Sequence, residues 1–129
     1  MRIEMPAERS GELVAALVDV WERSVRATHD FLVESDIALL RREVGPGVEG
    51  VAALAVAYGA DGAPCGFAGM QDGRLEMLFV APEARGRGVG SALLSLAVER
   101  FGVEALDVNE QNPQAVGFYE HEGFVVAGR

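Results

Sequence analysis

The 129 residues, half of them apolar, suffice for one compact domain with a core and are too few for two. The formal net charge is −9 and the pI is near 4.6. This charge argues against binding to nucleic acid or to a membrane surface, because both need clustered basic residues. Cys65 is the one cysteine, and we find neither a signal peptide nor an apolar run of membrane-spanning length, so we expect a cytoplasmic protein.

The first predicted elements are a short strand and a helix. The strand covers Arg2 to Met5 and is stopped by Pro6. Ser10 is then placed where a helix N-cap belongs, and the predicted helix ends near Ala27. The apolar side chains behind Ser10 recur at helical spacing: Leu13, Leu17, Val20, Trp21 and Val25.

Residues 28–32 interrupt this periodicity. A second, short helix containing Ile37 and Leu40 follows, and we expect the sequence Gly-Pro-Gly at 45–47 to end it. Three short apolar or alternating runs then predict the antiparallel strands of a meander, at residues 51–58, 65–71 and 74–80. The rest of the chain predicts a helix, a fifth strand, a helix that Pro113 opens, and a sixth strand, at residues 89–101, 104–108, 113–122 and 123–128.

The junction between the fourth strand and the following helix is rich in glycine. It is not a Walker loop, since no Gly-Lys-Ser/Thr ends it, and Ser91 and Ala92 stand where a dinucleotide fingerprint needs its third glycine. At a helix start the backbone N–H groups are unpaired, and at Gly86, Gly88 and Gly90 no side chain shields them. Such amides bind one anion, which the helix dipole also favours. The alternative is a glycine-rich turn without a ligand.

Two motifs carry a family resemblance. The order strand, Val80-x-Pro82, Arg85-x-x-Gly88-x-Gly90, helix resembles the acyl-coenzyme A pyrophosphate loop of the GCN5-related N-acetyltransferase (GNAT) family. The later pattern Asn112-x-x-Ala115-x-x-x-Tyr119-x-x-x-Gly123-Phe124 is similar to that family's second motif, and the two together cover residues 75–124. Residues 21–32 and 108–124 are also similar to the bacterial YjaB-type members.

The resemblance implies an α/β (α+β) fold with a mixed, mostly antiparallel central sheet and helices on both faces, formed by residues 1–129 as one domain. It implies an acetyl-coenzyme A-dependent N-acetyltransferase that transfers acetyl directly to a primary amine in a ternary complex. The alternative is a coenzyme A-binding sensor or partner-binding module on the same fold. The presence of Glu76 and Tyr119 favours the enzyme over the binding module.

The resemblance also assigns catalytic roles. In the family the fourth and fifth strands splay apart around the pantetheine arm. The helix after the fifth strand then places Tyr119 beside the thioester sulfur as a proton donor. The alternative is that Tyr119 is an aromatic core residue packed with Phe118 and Phe124. Glu76 matches the position of a catalytic glutamate in some members, and the alternative is a solvent-facing carboxylate. We expect a backbone N–H near Phe79 or Val80 to meet the oxyanion.

The binding residues follow from the same motifs. The coenzyme is expected to contact residues of the fourth strand, the loop and the last helix: Leu78, Phe79, Val80, Arg85, Gly86, Arg87, Gly88, Val89, Gly90, Ser91, Asn112, Ala115 and Phe118. The loop with His29, Asp30 and Phe31 covers the acceptor side in this family, although it could equally be a helix cap and a turn. The two histidines offer no ligand spacing, so we expect no metal.

The sequence stops before the seventh strand that the family inserts between its fifth and sixth strands. The sixth strand would then leave an unpaired edge. We expect either self-association into a homodimer or a frayed C-terminus, and a short missing tail is the other explanation.

Overall fold

The computed structural model describes residues 1–28, 32–106 and 113–124. Strands and helices follow one another along this part of the chain in the order β1 (Arg2–Glu4), α1 (Gly11–Thr28), α2 (Glu34–Gly50), β2 (Ala53–Tyr58), β3 (Pro64–Gln71), β4 (Arg74–Val80), α3 (Val89–Phe101), β5 (Ala105–Leu106) and α4 (Pro113–His121). A 3₁₀ turn, Pro82–Ala84, joins β4 to α3.

The five strands form one sheet in the order β1-β2-β3-β4-β5. Neighbouring strands are antiparallel, except that β5 runs parallel to β4. The β3–β4 hairpin turns at Asp72 and Gly73, whose φ angles are 52° and 75°, as a two-residue hairpin requires. The prediction of a mixed, mostly antiparallel sheet is confirmed.

Helices cover both faces of the sheet, each face with its own core. On one face α1 and α2 pack on β2 and β3 through Leu17, Trp21, Val48, Val56 and Phe67. On the other, α3 and α4 pack through Met70, Leu75, Leu93, Ala97 and Tyr119. Alternate residues of each strand supply the two cores, as the pleat of a sheet requires.

A β-bulge interrupts this alternation in β4. Gly69 of β3 pairs with Met77, whereas the next residue, Met70, pairs with Leu75, so Glu76 is the extra residue. As a result Leu75 and Leu78, three residues apart, pack in the same core. Gly69 leaves room for this arrangement, since a Cβ there would lie 2.6 Å from Met77 Cε.

The start of α1 is confirmed. The Leu13 amide donates to Ser10 Oγ at 3.1 Å, which is the bond expected of an N-cap serine. The helix runs to Thr28, one residue beyond its predicted end. The predicted boundaries of β4 and α3 are also those observed.

The prediction that Gly-Pro-Gly at 45–47 ends the second helix is wrong. Helix α2 runs through it to Gly50, with Pro46 inside the helix. Pro46 is exposed, whereas Val48 just beyond it is fully buried in the core. Arg9 also donates to the carbonyls at the end of α2, at 2.9 Å to Val48 O and 2.5 Å to Val51 O. The packing of Val48 and the capping by Arg9 thus compensate for the loss of the backbone hydrogen bond that proline cannot donate.

The last two predicted strands lie partly or wholly beyond the described residues. Strand β5 is described over Ala105–Leu106, and residues 107–112 lie outside. The sixth strand was predicted from residue 123, but Gly123 and Phe124 instead close the end of α4, with the Phe124 amide donating to Tyr119 O at 2.9 Å; residues 125–129 lie outside. Within the described ranges, no helix combines the length and the apolar character needed to cross a membrane.

Candidate active site

The start of α3 presents unpaired backbone amides. Gly88 is the N-cap residue, with φ of 80°, and no side chain caps the helix. The first intrahelical bond runs from the Ala92 amide to Gly88 O, at 2.9 Å. The N–H groups of Val89, Gly90 and Ser91 therefore have no acceptor within the helix. Together with the helix dipole they form a site suited to an anion.

The loop before α3 is open where an anion would approach. Gly86 and Gly88 have φ angles of 74° and 80°, and a Cβ built on either one would meet nothing within 4 Å. Glycine is needed at both positions for the left-handed backbone, not to avoid a packed neighbour. That these amides bind the pyrophosphate of coenzyme A stays a prediction from the glycine pattern.

The second edge of strand β4, opposite β3, pairs with β5. The described pairs are Arg74 with Ala105 and Leu75 with Leu106. Any pairing of this edge from Met77 to Val80 would involve residues 107–112, which lie outside the described part of the chain.

The hydrogen-bond ladder decides which β4 amides face that edge. The Ala81 amide donates to Cys65 O at 2.8 Å. Because antiparallel bonds alternate every two residues, the Phe79 amide also points to β3, and the amides of Leu78 and Val80 point away from it. Of the two expected oxyanion donors, only Val80 is therefore available.

Tyr119 lies in the core under the start of α3. Its ring packs edge-on against Phe118 and Phe124, with centroids 5.2 and 6.2 Å apart, which is the contact set of the core interpretation. Burial raises the pKa of Tyr119 to about 12, because water no longer stabilises the phenolate. The hydroxyl is therefore fully protonated at neutral pH, as a proton donor must be.

Glu76 is exposed at the bulge of β4. It is one residue beyond Leu75, the last residue of β4 with a described partner in β5. Bulges re-aim side chains at functional sites in many sheets. This position suits a base in contact with water, and it equally fits the solvent-facing carboxylate of the alternative interpretation.

The two loop arginines have different surroundings. The Arg85 guanidinium turns toward α1 and donates through Nη2 to Ser24 O and Ser24 Oγ, at 3.2 and 3.0 Å. It is half-buried, and burial lowers its pKa. Arg87 is exposed to solvent. The contact of either arginine with the coenzyme stays a prediction, and of the two it is Arg85 that turns toward α1.

The other predicted coenzyme residues divide into two groups. Those brought together on the α3 face of the sheet are Leu78, Val80, Val89, Gly90, Ala115 and Phe118. In this group Gly90 is packed, since a Cβ there would lie 3.3 Å from Phe118 Cζ. Ser91 belongs to the first turn of α3, whereas the Phe79 side chain packs in the core on the opposite face, next to Phe67. The second group, Asn112 with the acceptor-side residues His29, Asp30 and Phe31, lies outside the described residues.

Ser24 was missed by the sequence analysis, although a signal was present. It follows Trp21 by three residues and Leu17 by seven, which places a hydroxyl on the buried stripe of α1. It is 4% exposed, and a buried hydroxyl needs a hydrogen-bond partner. The bulge at Glu76 had no comparable signal, because it depends on pairing with β3.

Comparison with known proteins identifies the class. The model of the acetyltransferase (GNAT) domain family matches residues 24–129. The chain belongs to this family, as the two motifs indicated. It is therefore an acetyltransferase that transfers acetyl to an amine, and the relatives favour this over a module without turnover.

Particular relatives are similar over most of their length. The peptidyl-lysine N-acetyltransferase YjaB of Salmonella typhimurium is 41% identical over 113 residues, which are 88% of this chain and 77% of the relative. YjaB of Escherichia coli is 41% identical over 116 residues, 88% of this chain and 76% of the relative.

Solved structures show the same fold. The apo-form YjaB from Escherichia coli superposes with a TM-score of 0.83 at 39% identity, over 99% of this chain and 86% of that one. The PaiA N-acetyltransferase from Thermoplasma acidophilum, solved with coenzyme A, gives a TM-score of 0.77 at 24% identity, over 100% of this chain and 93% of that one.

Proposed function

We propose that the protein transfers the acetyl group of acetyl-coenzyme A to the side-chain amine of a lysine in a peptide or protein. The coenzyme part rests on one observation above all, the amides of Val89, Gly90 and Ser91, which have no acceptor within α3 and no side-chain cap. The acceptor part is supported by the YjaB relatives, which are peptidyl-lysine acetyltransferases. The net charge of −9 also attracts a cationic acceptor.

The chain's own residues account for binding. The pyrophosphate lies over the start of α3, where Gly86 and Gly88 leave open space, and Arg87 adds a positive charge. The pantetheine arm lies along β4, beside the Leu78 and Val80 amides that point away from β3. This arrangement brings the thioester toward Val80 and Tyr119.

In the transfer step the amine nitrogen forms a bond to the thioester carbonyl carbon. The Val80 amide stabilises the negative charge that develops on the carbonyl oxygen. The C–S bond then breaks, and the departing thiolate takes the proton of the Tyr119 hydroxyl, which later regains one from solvent. Meanwhile Glu76, directly or through water, removes a proton from the amine nitrogen, so protons and electrons balance.

A peptide panel tests the acceptor. We expect acetyl transfer to a peptide with one lysine and a blocked N-terminus, and none to the same peptide with arginine in place of lysine. The 129 residues contain no lysine, so acetyl-lysine detected by mass spectrometry comes from the substrate alone. Faster turnover of spermidine or of an aminoglycoside than of the lysine peptide would contradict the proposal.

A pH profile of Glu76→Gln tests the base. A lysine amine has a pKa near 10.4, so a base is needed mainly at low pH. We expect kcat/KM to fall about ten- to hundredfold at pH 7 and the defect to shrink as pH approaches the amine pKa. Glu104→Gln, a change of another exposed carboxylate beside the sheet, is the control. A loss that is equal at every pH would contradict the role.

We also propose a cytoplasmic location, which the half-buried free thiol of Cys65 supports. Homodimer formation stays a prediction. Light scattering over a range of protein concentrations tests it, and a monomer at all of them would contradict it.

A further inference from the structure

Helix α1 and the loop before α3 are joined at two places. Arg23 of α1 forms an ion pair with Glu83 in the 3₁₀ turn and with Asp19 on its own helix. Two residues further along, Arg85 donates two hydrogen bonds to Ser24. The Arg23 pair is exposed and contributes little by itself. The Arg85 contact is different, since it ends on a residue that is 4% exposed.

The loop that follows Arg85 is open over its glycines, as far as the described residues go. A Cβ on Gly86 or Gly88 would meet nothing within 4 Å, and Arg87 between them is exposed. The loop is therefore held at its two ends. One end is Val89, which is 4% exposed in the core, and the other is Arg85 on Ser24.

The Arg85 guanidinium makes this contact through one of its three nitrogens. Its Nη2 atom donates to both the carbonyl and the hydroxyl of Ser24. A hydrogen bond from a charged donor to a buried group is among the stronger ones in proteins. Moving the guanidinium to a phosphate would leave the buried Ser24 hydroxyl without this donor.

We propose that Arg85 is a positioning residue, which fixes the coenzyme loop against Ser24 of α1 and does not itself bind phosphate. The inference rests on the proposed function, because it concerns the loop that binds acetyl-coenzyme A. It separates the two loop arginines: Arg87 meets the anion, and Arg85 orients the amides that do so.

A double-mutant cycle tests this role. Coenzyme A affinity is measured by calorimetry for Arg85→Gln, Ser24→Ala and the double variant. We expect each single variant to bind about three- to tenfold more weakly, and the double variant to bind no more weakly than Arg85→Gln, because both changes remove one contact. With saturating acetyl-coenzyme A, kcat should stay within about twofold of the wild type.

The salt dependence distinguishes positioning from direct binding. Removing a charge that contacts phosphate makes affinity less sensitive to salt, whereas removing an orienting contact does not. We expect a shallower salt dependence for Arg87→Gln and an unchanged one for Arg85→Gln. A shallower dependence for Arg85→Gln, or an unchanged affinity for Ser24→Ala, would overturn the inference.

Two controls keep the outcomes distinct. Thermal unfolding shows which variants are folded at the assay temperature. If Arg85→Gln is unfolded, the coenzyme A affinity of Ser24→Ala and its salt dependence test the inference instead. An unchanged affinity of Ser24→Ala would overturn the inference. A wild-type protein that binds no coenzyme A would overturn the proposed function itself. Wild-type binding with additive effects of the two variants would overturn the role of Arg85 alone.

Discussion

Two glycine-rich stretches of this chain adopt different structures, one a loop and the other part of a helix. Residues 86–90 form an open loop and begin α3, with Gly86 and Gly88 in the left-handed conformation and nothing near their Cβ positions. Residues 45–47 lie inside α2, where a Cβ on Gly45 would contact Val14 at 3.8 Å and one on Gly47 would approach Met77 Sδ at 4.0 Å.

The difference shows that glycine has two separate uses here. In the loop it provides a backbone conformation and unshielded amides. In α2 it faces neighbouring residues of the core, and the helix persists because Val48 is buried and Arg9 caps its end. A local sequence signal therefore decides structure only where tertiary packing does not oppose it.

The largest expected effect is at Gly88. Replacement by Glu places a side chain and a negative charge over the α3 amides, so we expect coenzyme A affinity to fall at least about hundredfold. Gly62→Glu is the matched control, because Gly62 has a φ of 82° and equally open space in the β2–β3 turn. Calorimetry should show binding lost in the first variant only. Equal affinities would mean that the loop is a turn without a ligand.

A change at Tyr119 should affect acetyl transfer and leave coenzyme A binding at the loop nearly unchanged. We expect Tyr119→Phe to lower kcat by about ten- to thousandfold with little change in coenzyme A affinity, because the proton is needed only as the thiolate leaves. Steady-state kinetics and calorimetry measure the two effects. Phe118→Leu, a change in the neighbouring ring, is the control for packing. Wild-type turnover in Tyr119→Phe would show that Tyr119 is a core residue without a catalytic role.

The buried phenol also predicts a loss of stability at high pH. Its pKa is about 12 in the folded protein and near 10 when unfolded. The stabilisation is complete below pH 10 and is lost as pH rises through the folded pKa, in total about 2–3 kcal/mol. No lysine titrates in this range.

Urea unfolding between pH 9 and 12 measures this loss. Tyr119→Phe should lose less stability than the wild type over this range. An equal loss in Tyr119→Phe and the wild type would contradict the assigned pKa.

The smallest expected effect is at Pro46 in α2. Pro46→Ala restores an amide donor to a helix that already forms, so we expect the free energy of unfolding to rise by about 1 kcal/mol. This is less than the full helical penalty of proline because alanine also makes the unfolded chain more flexible. In Pro6→Ala, outside any helix, only the second effect operates and stability should not rise. A drop in stability of Pro46→Ala would show that α2 needs the proline.

Much of the fold could be predicted from the sequence, because the signals are local. Alternating apolar residues mark β2, β3 and β4, Ser10 caps α1 through its own Oγ, and the bounds of α3 follow from Gly88 and Gly102 on either side. The loop motif likewise predicted unshielded amides at the start of α3, where Gly86 and Gly88 have positive φ angles. In each case neighbouring residues suffice to fix the backbone.

Tertiary structure alone decided the remainder. The bulge at Glu76 depends on pairing with Gly69 and Met70, the passage of α2 through Pro46 depends on Val48 and Arg9, and the direction of Arg85 depends on Ser24, 61 positions away in the sequence. The sequence determined most helix and strand positions and the glycine-rich start of α3, because periodicity and backbone preference act over a few residues. Which side chains meet, and which loop arginine turns toward α1, followed only from long-range packing and from the need to pair buried polar groups.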